Sequence, residues 1–240
     1  MENETGNGSI VVITGASKGI GKAIAEKFVA EGETVLLCAR NEENLLNTAR
    51  ELKEQYPGAI IQTFVADLSD KVQVAAFAQY CLGLGTPSIL VNNAGSYLPG
   101  NIQDEPEGQL ETVMNTNLFS AYHLTRKLLP AMIKKGSGHI FNICSIASLQ
   151  AYEGGGSYSI SKYALNGFSK NLRHELKQTG IKVTAVFPGA VMTASWGSFD
   201  NSSNRIMEAE DIANIIVAAT KLSSQAVVED IVIRPQLGDL

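Results

Sequence analysis

A tyrosine and a lysine stand four positions apart in the stretch SYSISK, residues 157–162, where a helical pattern begins. Residues four apart share one face of a helix, so Lys162 would lie one turn beyond Tyr158. An ammonium group near a phenol favours the phenolate and lowers a pKa that starts near ~10. A solvated lysine couples too weakly to produce a large shift. The pair is therefore a proton donor if it is buried beside a charged cofactor, and otherwise an ordinary surface pair.

The elements that must position this pair form a regular alternation of short β-branched runs and longer helical patterns. Most of the runs are continuously apolar, which is typical of parallel strands covered on both faces. The alternation predicts an α/β fold with right-handed βαβ units and a doubly wound, seven-stranded parallel sheet, in one domain over residues 1–240. The predicted strands are 9–14, 34–39, 59–66, 88–93, 139–144, 182–187 and 227–233. The predicted helices are about 19–31, 42–56, 69–83, 105–135, 156–179 and 208–222.

The turn after the first predicted strand is rich in glycine, with the sequence TGASKGIG at 14–21. Ligands of doubly wound sheets bind beyond the carboxyl ends of the strands. Gly15, Gly19 and Gly21 would let the backbone approach a ligand, and the following helix would point free N–H groups at an anion. The spacing differs from G-x-G-x-x-G, and a purely structural tight turn is the alternative. A nucleotide-triphosphate P-loop is excluded because no GK[ST] follows.

The end of the second predicted strand carries Arg40 where an Asp or Glu usually binds a free ribose 2′-hydroxyl. Together with Lys18 in the glycine turn, Arg40 suits a 2′-phosphate, because arginine binds phosphate bidentately. Solvated loop charges are the alternative. Asp67, after the third strand, could accept a bond from an adenine amino group or could cap a helix that begins near residue 69.

Three further polar positions fall at the same predicted edge of the sheet or face it. The motif NNAG at 92–95 ends the fourth strand, where its asparagines can bond backbone groups of neighbouring strands. Asn117 lies on the apolar stripe of the next helix and needs a partner there, so a satisfied core amide is one interpretation. Ser145 follows the fifth strand directly.

Composition excludes several classes of function. The formal net charge of −5 gives no general attraction to nucleic acid or to an anionic membrane. No apolar run approaches the ~18 residues of a membrane span, and the N-terminus lacks the pattern of a signal peptide. Three widely spaced cysteines favour a reducing compartment, so we expect a cytoplasmic location. The histidines have no metal-binding spacing, and no metal is expected; they are His123, His139 and His174.

The sequence resembles the short-chain dehydrogenases/reductases over essentially its whole length. The resemblance rests on the motifs TGASKGIG at 14–21, NNAG at 92–95, YSISK at 158–162 and PGAVMT at 188–193, with Asn117 and Ser145 between them. It implies a three-layer Rossmann fold and the catalytic tetrad Asn117, Ser145, Tyr158 and Lys162. The positions that it implies for cofactor binding are Gly15, Ser17, Lys18, Gly19, Ile20, Gly21, Arg40, Asp67, Leu68, Asn93, Ala94, Gly95, Tyr158, Lys162, Pro188, Gly189, Val191 and Thr193.

The resemblance also implies a mechanism, in which NADPH passes hydride to a carbonyl carbon of the substrate. Ser145 would bind the carbonyl oxygen and Tyr158 would donate the proton. Lys162 would hold the ribose hydroxyls of the nicotinamide, and Asn117 would hold a water that relays protons. Val191 and Thr193 would contact the carboxamide, and Lys18 with Arg40 resembles the NADP-preferring branch. Homotetramers or homodimers are common in such a family.

The substrate is left open by the sequence. Many members of the family end in a V-D-G-G-like segment, and the C-terminal VVEDIVIRPQLGDL departs from it. The chain therefore resembles the carbonyl reductases and hydroxy-acid dehydrogenases of the family more than the 3-oxoacyl-carrier-protein reductases. Residues 194–207, with Trp196 and Phe199, predict an irregular loop beside an open pocket for a small or medium carbonyl compound. A non-catalytic NADP(H) sensor and a methyltransferase are the alternatives. An intact Ser145, Tyr158 and Lys162 argue against the sensor. The basic pair Lys18 and Arg40, together with Tyr158 and Lys162, argues against the methyltransferase.

Overall fold

The computed structural model describes residues 9–193 and 196–239, which form one seven-stranded parallel sheet with helices on both faces. The strand order is β3-β2-β1-β4-β5-β6-β7, the arrangement of a Rossmann-like fold, and it confirms the predicted doubly wound sheet. The strands are β1 Ile10–Thr14, β2 Thr34–Ala39, β3 Ile61–Val65, β4 Ile89–Asn92, β5 Gly138–Ile143, β6 Ile181–Pro188 and β7 Asp230–Ile233.

The helices follow the predicted order, with one substantial difference. They are α1 Gly19–Ala30, α2 Glu42–Gln55, α3 Lys71–Leu84, α4 Gln109–Met114, α5 Ser120–Lys135, α6 Gly156–Leu176 and α7 Ala209–Thr220. The helix predicted over 105–135 begins at residue 109 because Gly108 has a φ of 81°, outside the helical region. A π-helical turn, Asn115–Phe119, then joins α4 to α5. A short 3₁₀ turn, Ile146–Ser148, follows β5.

The two faces of the sheet bury alternate residues of each strand. Because successive side chains point to opposite faces, Val11 and Ile13 pack under α1, α2 and α7, whereas Val12 packs under α3, α5 and α6. Phe77 of α3 and Leu124 of α5 are fully buried on the second face. This two-sided burial is the reason that the strands read as unbroken apolar runs instead of alternating patterns.

The strand order reverses between β1 and β4, which are parallel neighbours although three helices separate them in the chain. A ligand crevice opens at such a reversal, beyond the carboxyl ends of the strands. The fold therefore brings the glycine-rich turn after β1 next to the NNAG segment after β4, and Ser145 after β5 lies one strand further along the same edge.

Three general features of the described residues are relevant to function. None of the helices within 9–193 and 196–239 combines the length and apolar character needed to cross a membrane. In the same ranges, no cluster of three or more His, Cys, Asp or Glu side chains is arranged to hold a metal ion. The three cysteines are free and buried.

His139 is a titratable group in the core, far from the carboxyl ends of the strands. Its ring stacks on Phe141 with the centroids 3.9 Å apart, and its Nε2 lies 2.7 Å from the hydroxyl oxygen of Thr184. That hydroxyl donates its own proton to the carbonyl oxygen of Val228. The imidazole therefore donates from Nε2, and burial lowers the pKa of His139 to about 3.

This lowered pKa predicts a loss of stability in acid. Below pH ~6.5 the unfolded chain protonates His139 while the folded chain does not, so its contribution to the free energy of unfolding falls as the pH falls from ~6.5 toward about 3. The loss between pH 6 and pH 4 is about 2 kcal/mol. Urea titrations at several pH values should show that His139→Gln loses about 2 kcal/mol less than wild type over this range. The control is His174→Gln, at an exposed position, which should follow wild type. Parallel profiles for all three proteins would contradict the assignment.

Candidate active site

The glycine-rich turn packs so tightly that no side chain fits at its third glycine. A Cβ on Gly21 would lie 2.3 Å from the carbonyl oxygen of Gly15 and 2.6 Å from the amide nitrogen of Asn93. Gly15 itself has a φ of 64°, which favours glycine. Lys18, at the N-cap position of α1, makes no capping bond with its side chain. The first N–H groups of α1 therefore receive no acceptor from the side chain of the N-cap residue, and an anion could bind them.

Thr14 and Asn93 join this turn to the end of β4. The Thr14 hydroxyl lies 2.9 Å from the backbone nitrogens of both Asn93 and Ala94, and it donates to the carbonyl oxygen of Val91. The Asn93 amide donates to the carbonyl oxygens of Thr14, at 2.9 Å, and Gly15, at 3.1 Å. Asn93 thus makes the backbone bonds that were expected of both asparagines of NNAG.

Asn92 differs from that expectation, because its side chain points into the core. Its Nδ2 donates to the hydroxyl of Thr125 at 3.0 Å and to the side-chain oxygen of Asn142 at 2.8 Å. Asn142 in turn donates to the hydroxyl of Ser169 on α6. This chain of buried polar groups ties β4, β5, α5 and α6 together directly beneath the crevice.

Asn117 lies in the π-helical turn, where its amide is buried and hydrogen-bonded. Its Nδ2 donates to the carbonyl oxygen of Ser96 at 3.1 Å and to the hydroxyl of Ser161 at 2.9 Å, and its Oδ1 accepts from the backbone nitrogen of Ser96 at 2.7 Å. The side chain is thus a satisfied buried amide, as one interpretation of the sequence held. It also fixes the segment after Gly95 against α6.

Lys162 is 6% exposed, and its ammonium group donates to the carbonyl oxygen of Ile143 at 2.8 Å. A Cβ on Gly95 would lie 3.6 Å from the Lys162 Nζ and 3.3 Å from the Asn117 Oδ1, so the Gly95 backbone lies beside both groups. Burial lowers the pKa of Lys162 to about 8. The condition set by the sequence, that this lysine be desolvated, is therefore met.

Tyr158 and Ser145 lie together at the mouth of the crevice, and the Lys162 Nζ is 5.8 Å from the Tyr158 ring centroid. Burial raises the pKa of the Tyr158 phenol, and a hydrogen bond with the Ser145 hydroxyl offsets part of this rise. The net shift of this pKa is therefore upward, whereas the Lys162 ammonium alone would lower it. The physical reason is that the ammonium is directed to Ile143, so desolvation of the phenol dominates.

Ser145 is held by a reciprocal cap on the 3₁₀ turn after β5. Its hydroxyl accepts from the backbone nitrogen of Ala147, and its own backbone nitrogen donates to the hydroxyl of Ser148, both at 3.2 Å. This cap limits how far the Ser145 side chain can move. The hydroxyl stays half-buried at the sheet edge, facing Tyr158.

Lys18 and Arg40 are exposed at the rim of the crevice. The glycine turn and the end of β2 are joined by a bond from the backbone nitrogen of Ala16 to the carbonyl oxygen of Cys38. Among the five ion pairs found within 9–193 and 196–239, none includes Lys18 or Arg40. Ser17 and Ile20, on the same turn, are half-buried.

Asp67 does not cap a helix, so that alternative for its role is wrong. The N-cap of α3 is Asp70, whose side chain accepts from the backbone nitrogen of Val72 at 2.7 Å. Asp67 instead accepts from the backbone nitrogen and the hydroxyl of Ser69, which leaves its second carboxylate oxygen available. Leu68 is buried behind it.

The segment after β6 approaches the glycine turn from the opposite side. Pro188 ends β6, and Gly189 donates to the carbonyl oxygen of Ile233 at 2.8 Å. Val191 is buried and forms a parallel bridge with Met207. Thr193 reaches the glycine turn, since a Cβ on Gly19 would lie 3.1 Å from the Thr193 methyl carbon.

The predicted loop beside the pocket follows Thr193. Residues 194 and 195 lie outside the described part of the chain. Trp196 and Phe199 pack against each other, with their ring centroids 5.2 Å apart.

Two tyrosines beside the phenol were not predicted as site residues. The Tyr97 ring meets the Tyr158 ring edge-on, with the centroids 4.9 Å apart, and Tyr97 is 44% exposed. Tyr152 is 40% exposed, and its pKa is raised by burial and by its proximity to the Tyr97 hydroxyl. The position of Tyr97, two residues after the NNAG motif, was a signal available in the sequence. Tyr152 lies in a Gly-rich loop and gave no such signal.

Comparison with known proteins identifies the group of enzymes that share this arrangement. The family model described as short chain dehydrogenase matches residues 9–204, most of the chain. The chain belongs to the short-chain dehydrogenase family. The glycine turn, NNAG and the Tyr158–Lys162 pair all fall inside the matched range.

Relatives and solved structures within this short-chain dehydrogenase group agree over nearly the full length. Sepiapterin reductase of Chlorobaculum tepidum is 35% identical over 240 residues, covering 96% of this chain and 98% of that one. A metagenomic short-chain oxidoreductase in complex with NADP has a TM-score of 0.83 and 33% identity, covering 95% and 97%. L-Sorbose reductase from Gluconobacter frateurii, complexed with NADPH and L-sorbose, has a TM-score of 0.86 and 28% identity, covering 94% and 95%.

The tight contact at Gly21 predicts a large effect of a single methyl group. Gly21→Ala should lower the free energy of unfolding by about 3 kcal/mol, because backbone atoms of the turn must shift. Gly167→Ala is the matched control, since this glycine is also inside a helix but a Cβ there meets no atom within 4 Å. That control should stabilise by about 0.5–1 kcal/mol. Urea unfolding of both variants tests the contrast, and equal stabilities would show that the turn is not constrained as described.

Proposed function

We propose that this protein is an NADP(H)-dependent oxidoreductase that transfers hydride between the nicotinamide and a carbonyl or secondary alcohol of a small or medium substrate. One observation carries the proposal. The buried ammonium of Lys162, the phenol of Tyr158 and the hydroxyl of Ser145 converge on the same edge of the sheet as the glycine turn. The Tyr158 phenol and the Ser145 hydroxyl can then both form hydrogen bonds with one substrate oxygen atom, while a dinucleotide lies along this edge of the sheet.

The residues around the crevice fit a phosphorylated dinucleotide. The contact that excludes a side chain at Gly21, the uncapped start of α1 and the exposed cations Lys18 and Arg40 all favour an anionic ligand. The structural neighbours complexed with NADP and NADPH support the same assignment. The holding residues are Gly15, Ser17, Lys18, Gly19, Ile20, Gly21, Arg40, Asp67, Leu68, Asn93, Ala94, Gly95, Tyr158, Lys162, Pro188, Gly189, Val191 and Thr193. When bound, the dinucleotide supplies or accepts the hydride.

The residues of the chain then donate the proton and stabilise the negative charge that develops on the substrate oxygen. Ser145 donates a hydrogen bond to the substrate oxygen, and Tyr158 donates the proton in the reductive direction. The raised pKa of Tyr158 suits this role, because it keeps the phenol protonated at neutral pH. Lys162, whose pKa is about 8, carries a positive charge at neutral pH that favours the phenolate left after proton donation. Asn117 holds the loop after Gly95 in place beside Lys162.

The substrate pocket has an aromatic wall. Tyr97 and Tyr152 flank the phenol with partly exposed rings, so a carbonyl compound with an apolar or flat substituent would pack against them. The names of the sepiapterin reductase and the L-sorbose reductase support a carbonyl as the reacting group. Oxidation of NADPH with sepiapterin, L-sorbose, simple ketones and a 3-oxoacyl thioester is the direct test. No turnover with any of them, together with tight NADPH binding, would favour the non-catalytic sensor.

The proton-donor role of Tyr158 predicts a specific loss of turnover. Tyr158→Phe should bind NADPH with unchanged affinity but lose at least ~10²-fold in kcat, because general acid catalysis is removed. Tyr163→Phe, on an exposed position of the same helix, is the control and should retain kcat. Steady-state kinetics and fluorescence titration with NADPH provide the measurements. Wild-type kcat in the Tyr158 variant would contradict the assignment.

The exposed cation Arg40 predicts the basis of cofactor preference. Arg40→Asp should lower the ratio of kcat/KM with NADPH to kcat/KM with NADH by about 10-fold or more, since a charge-assisted phosphate contact is replaced by repulsion. Arg50→Asp, an exposed arginine on α2, controls for the change in net charge. An unchanged ratio in the Arg40 variant would exclude a contact with the 2′-phosphate.

A further inference from the structure

Helix α6 carries Tyr158 and Lys162, yet it begins without a cap of its own. The N-cap position is Gly155, which has no side chain to accept a bond from the first N–H groups of the helix. Tyr158 is only the third residue of α6, so its backbone lies in the turn that is most prone to fray. Something else must hold this turn if the phenol is to keep its place beside Ser145.

The missing cap comes from Glu105, which lies 52 residues earlier in the chain. Its Oε1 accepts from the backbone nitrogen of Ser157 at 2.7 Å, and its Oε2 accepts from the Ser157 hydroxyl. These bonds lower the pKa of the Glu105 carboxyl. A carboxylate at this place is also favoured by the positive end of the helix dipole. Ser157 is 1% exposed and immediately precedes Tyr158.

The segment that carries Glu105 fits closely around the start of α6. Gly156 has a φ of 35°, and a Cβ there would lie 2.1 Å from the Glu105 Oε1 and 2.4 Å from the carbonyl oxygen of Gly100. The backbone nitrogen of Gly100 donates to the carbonyl oxygen of Gly154 at 2.9 Å. Tyr97, on the same segment, meets the Tyr158 ring. Three contacts thus join residues 97–105 to the turn that holds the phenol.

We propose that Glu105 is a positioning residue for Tyr158, acting through Ser157. The inference rests on the proposed reductase function, because it assigns a role in keeping the acid aligned with the substrate oxygen. Without the carboxylate, the N–H group and hydroxyl of Ser157 lose their acceptor and the first turn of α6 loosens. The phenol then moves relative to Ser145, whereas the glycine turn, Lys18 and Arg40 are untouched and NADPH binding remains.

The test compares Glu105→Gln and Ser157→Ala in the full chain. Glu105→Gln removes the charge and one acceptor, and it should lower kcat by about 10- to 100-fold, as expected for small misplacements of a catalytic group, with the Kd for NADPH unchanged. Ser157→Ala keeps the backbone bond and should lose less. The double variant should be no slower than Glu105→Gln alone, because both changes break one interaction. Glu107→Gln, at an exposed position two residues after Glu105, is the control and should retain kcat.

A second readout separates this inference from the proposed function. Hydrogen exchange followed by mass spectrometry should show faster exchange in residues 156–161 of Glu105→Gln, with residues 165–176 unchanged. If Glu105→Gln has a lower Tm but the kcat of wild type, Glu105 is only a structural cap and the inference is overturned. Unchanged exchange at 156–161 would overturn it as well. If wild type itself reduces no carbonyl, the proposed function fails and the positioning role fails with it, while faster exchange would still identify Glu105 as the cap of α6.

Discussion

The burial of the Lys162 ammonium against a backbone carbonyl is the interaction on which the candidate site depends. A buried charge is costly unless it is bonded, and here the Ile143 carbonyl at the end of β5 provides the bond. Gly95 and the Asn117 side-chain oxygen lie beside the same point, since a Cβ on Gly95 would be 3.6 Å from the Lys162 Nζ and 3.3 Å from the Asn117 Oδ1. The Lys162 bond thus joins helix α6 to the end of β5, while Asn117 joins the segment after β4 to the same helix.

The opposite pKa shifts of Lys162 and Tyr158 have one cause, which is removal of both groups from water. Burial makes the lysine easier to neutralise and the phenol harder to ionise. The phenol is thereby kept in the protonated form that can donate a proton. The Lys162 ammonium is charged at neutral pH and loses its charge as the pH rises past about 8. The site thus combines a weak acid with a cation that can stabilise its conjugate base.

The fold was readable from the sequence because each strand is a short, unbroken apolar run. The glycine turn, Ser145, Tyr158 and Lys162 could be placed as well, since all follow strand ends or share a helix face. The prediction that Asp67 could cap a helix was wrong, because Asp70 is the N-cap of α3. The sequence pattern alone does not distinguish between two aspartates three residues apart as the cap. Glu105 and Tyr152 were missed because their partners are distant in the chain, and no local period reports such contacts.

The π-helical turn at Asn115–Phe119 has a consequence for how this helix can evolve. A π-helical turn contains one more residue than an α-helical turn, so it changes the direction in which the side chains of α5 point. One residue corresponds to about 100° of rotation around the helix axis. Leu124 and Leu128 meet the sheet only with this phase, while the Asn117 amide bonds Ser96 and Ser161. Deletion of a single residue between 115 and 119 would rotate α5 relative to Asn117, so that the leucines of α5 and the Asn117 amide could no longer both keep their contacts. The length of this stretch is therefore constrained even where its side chains are not.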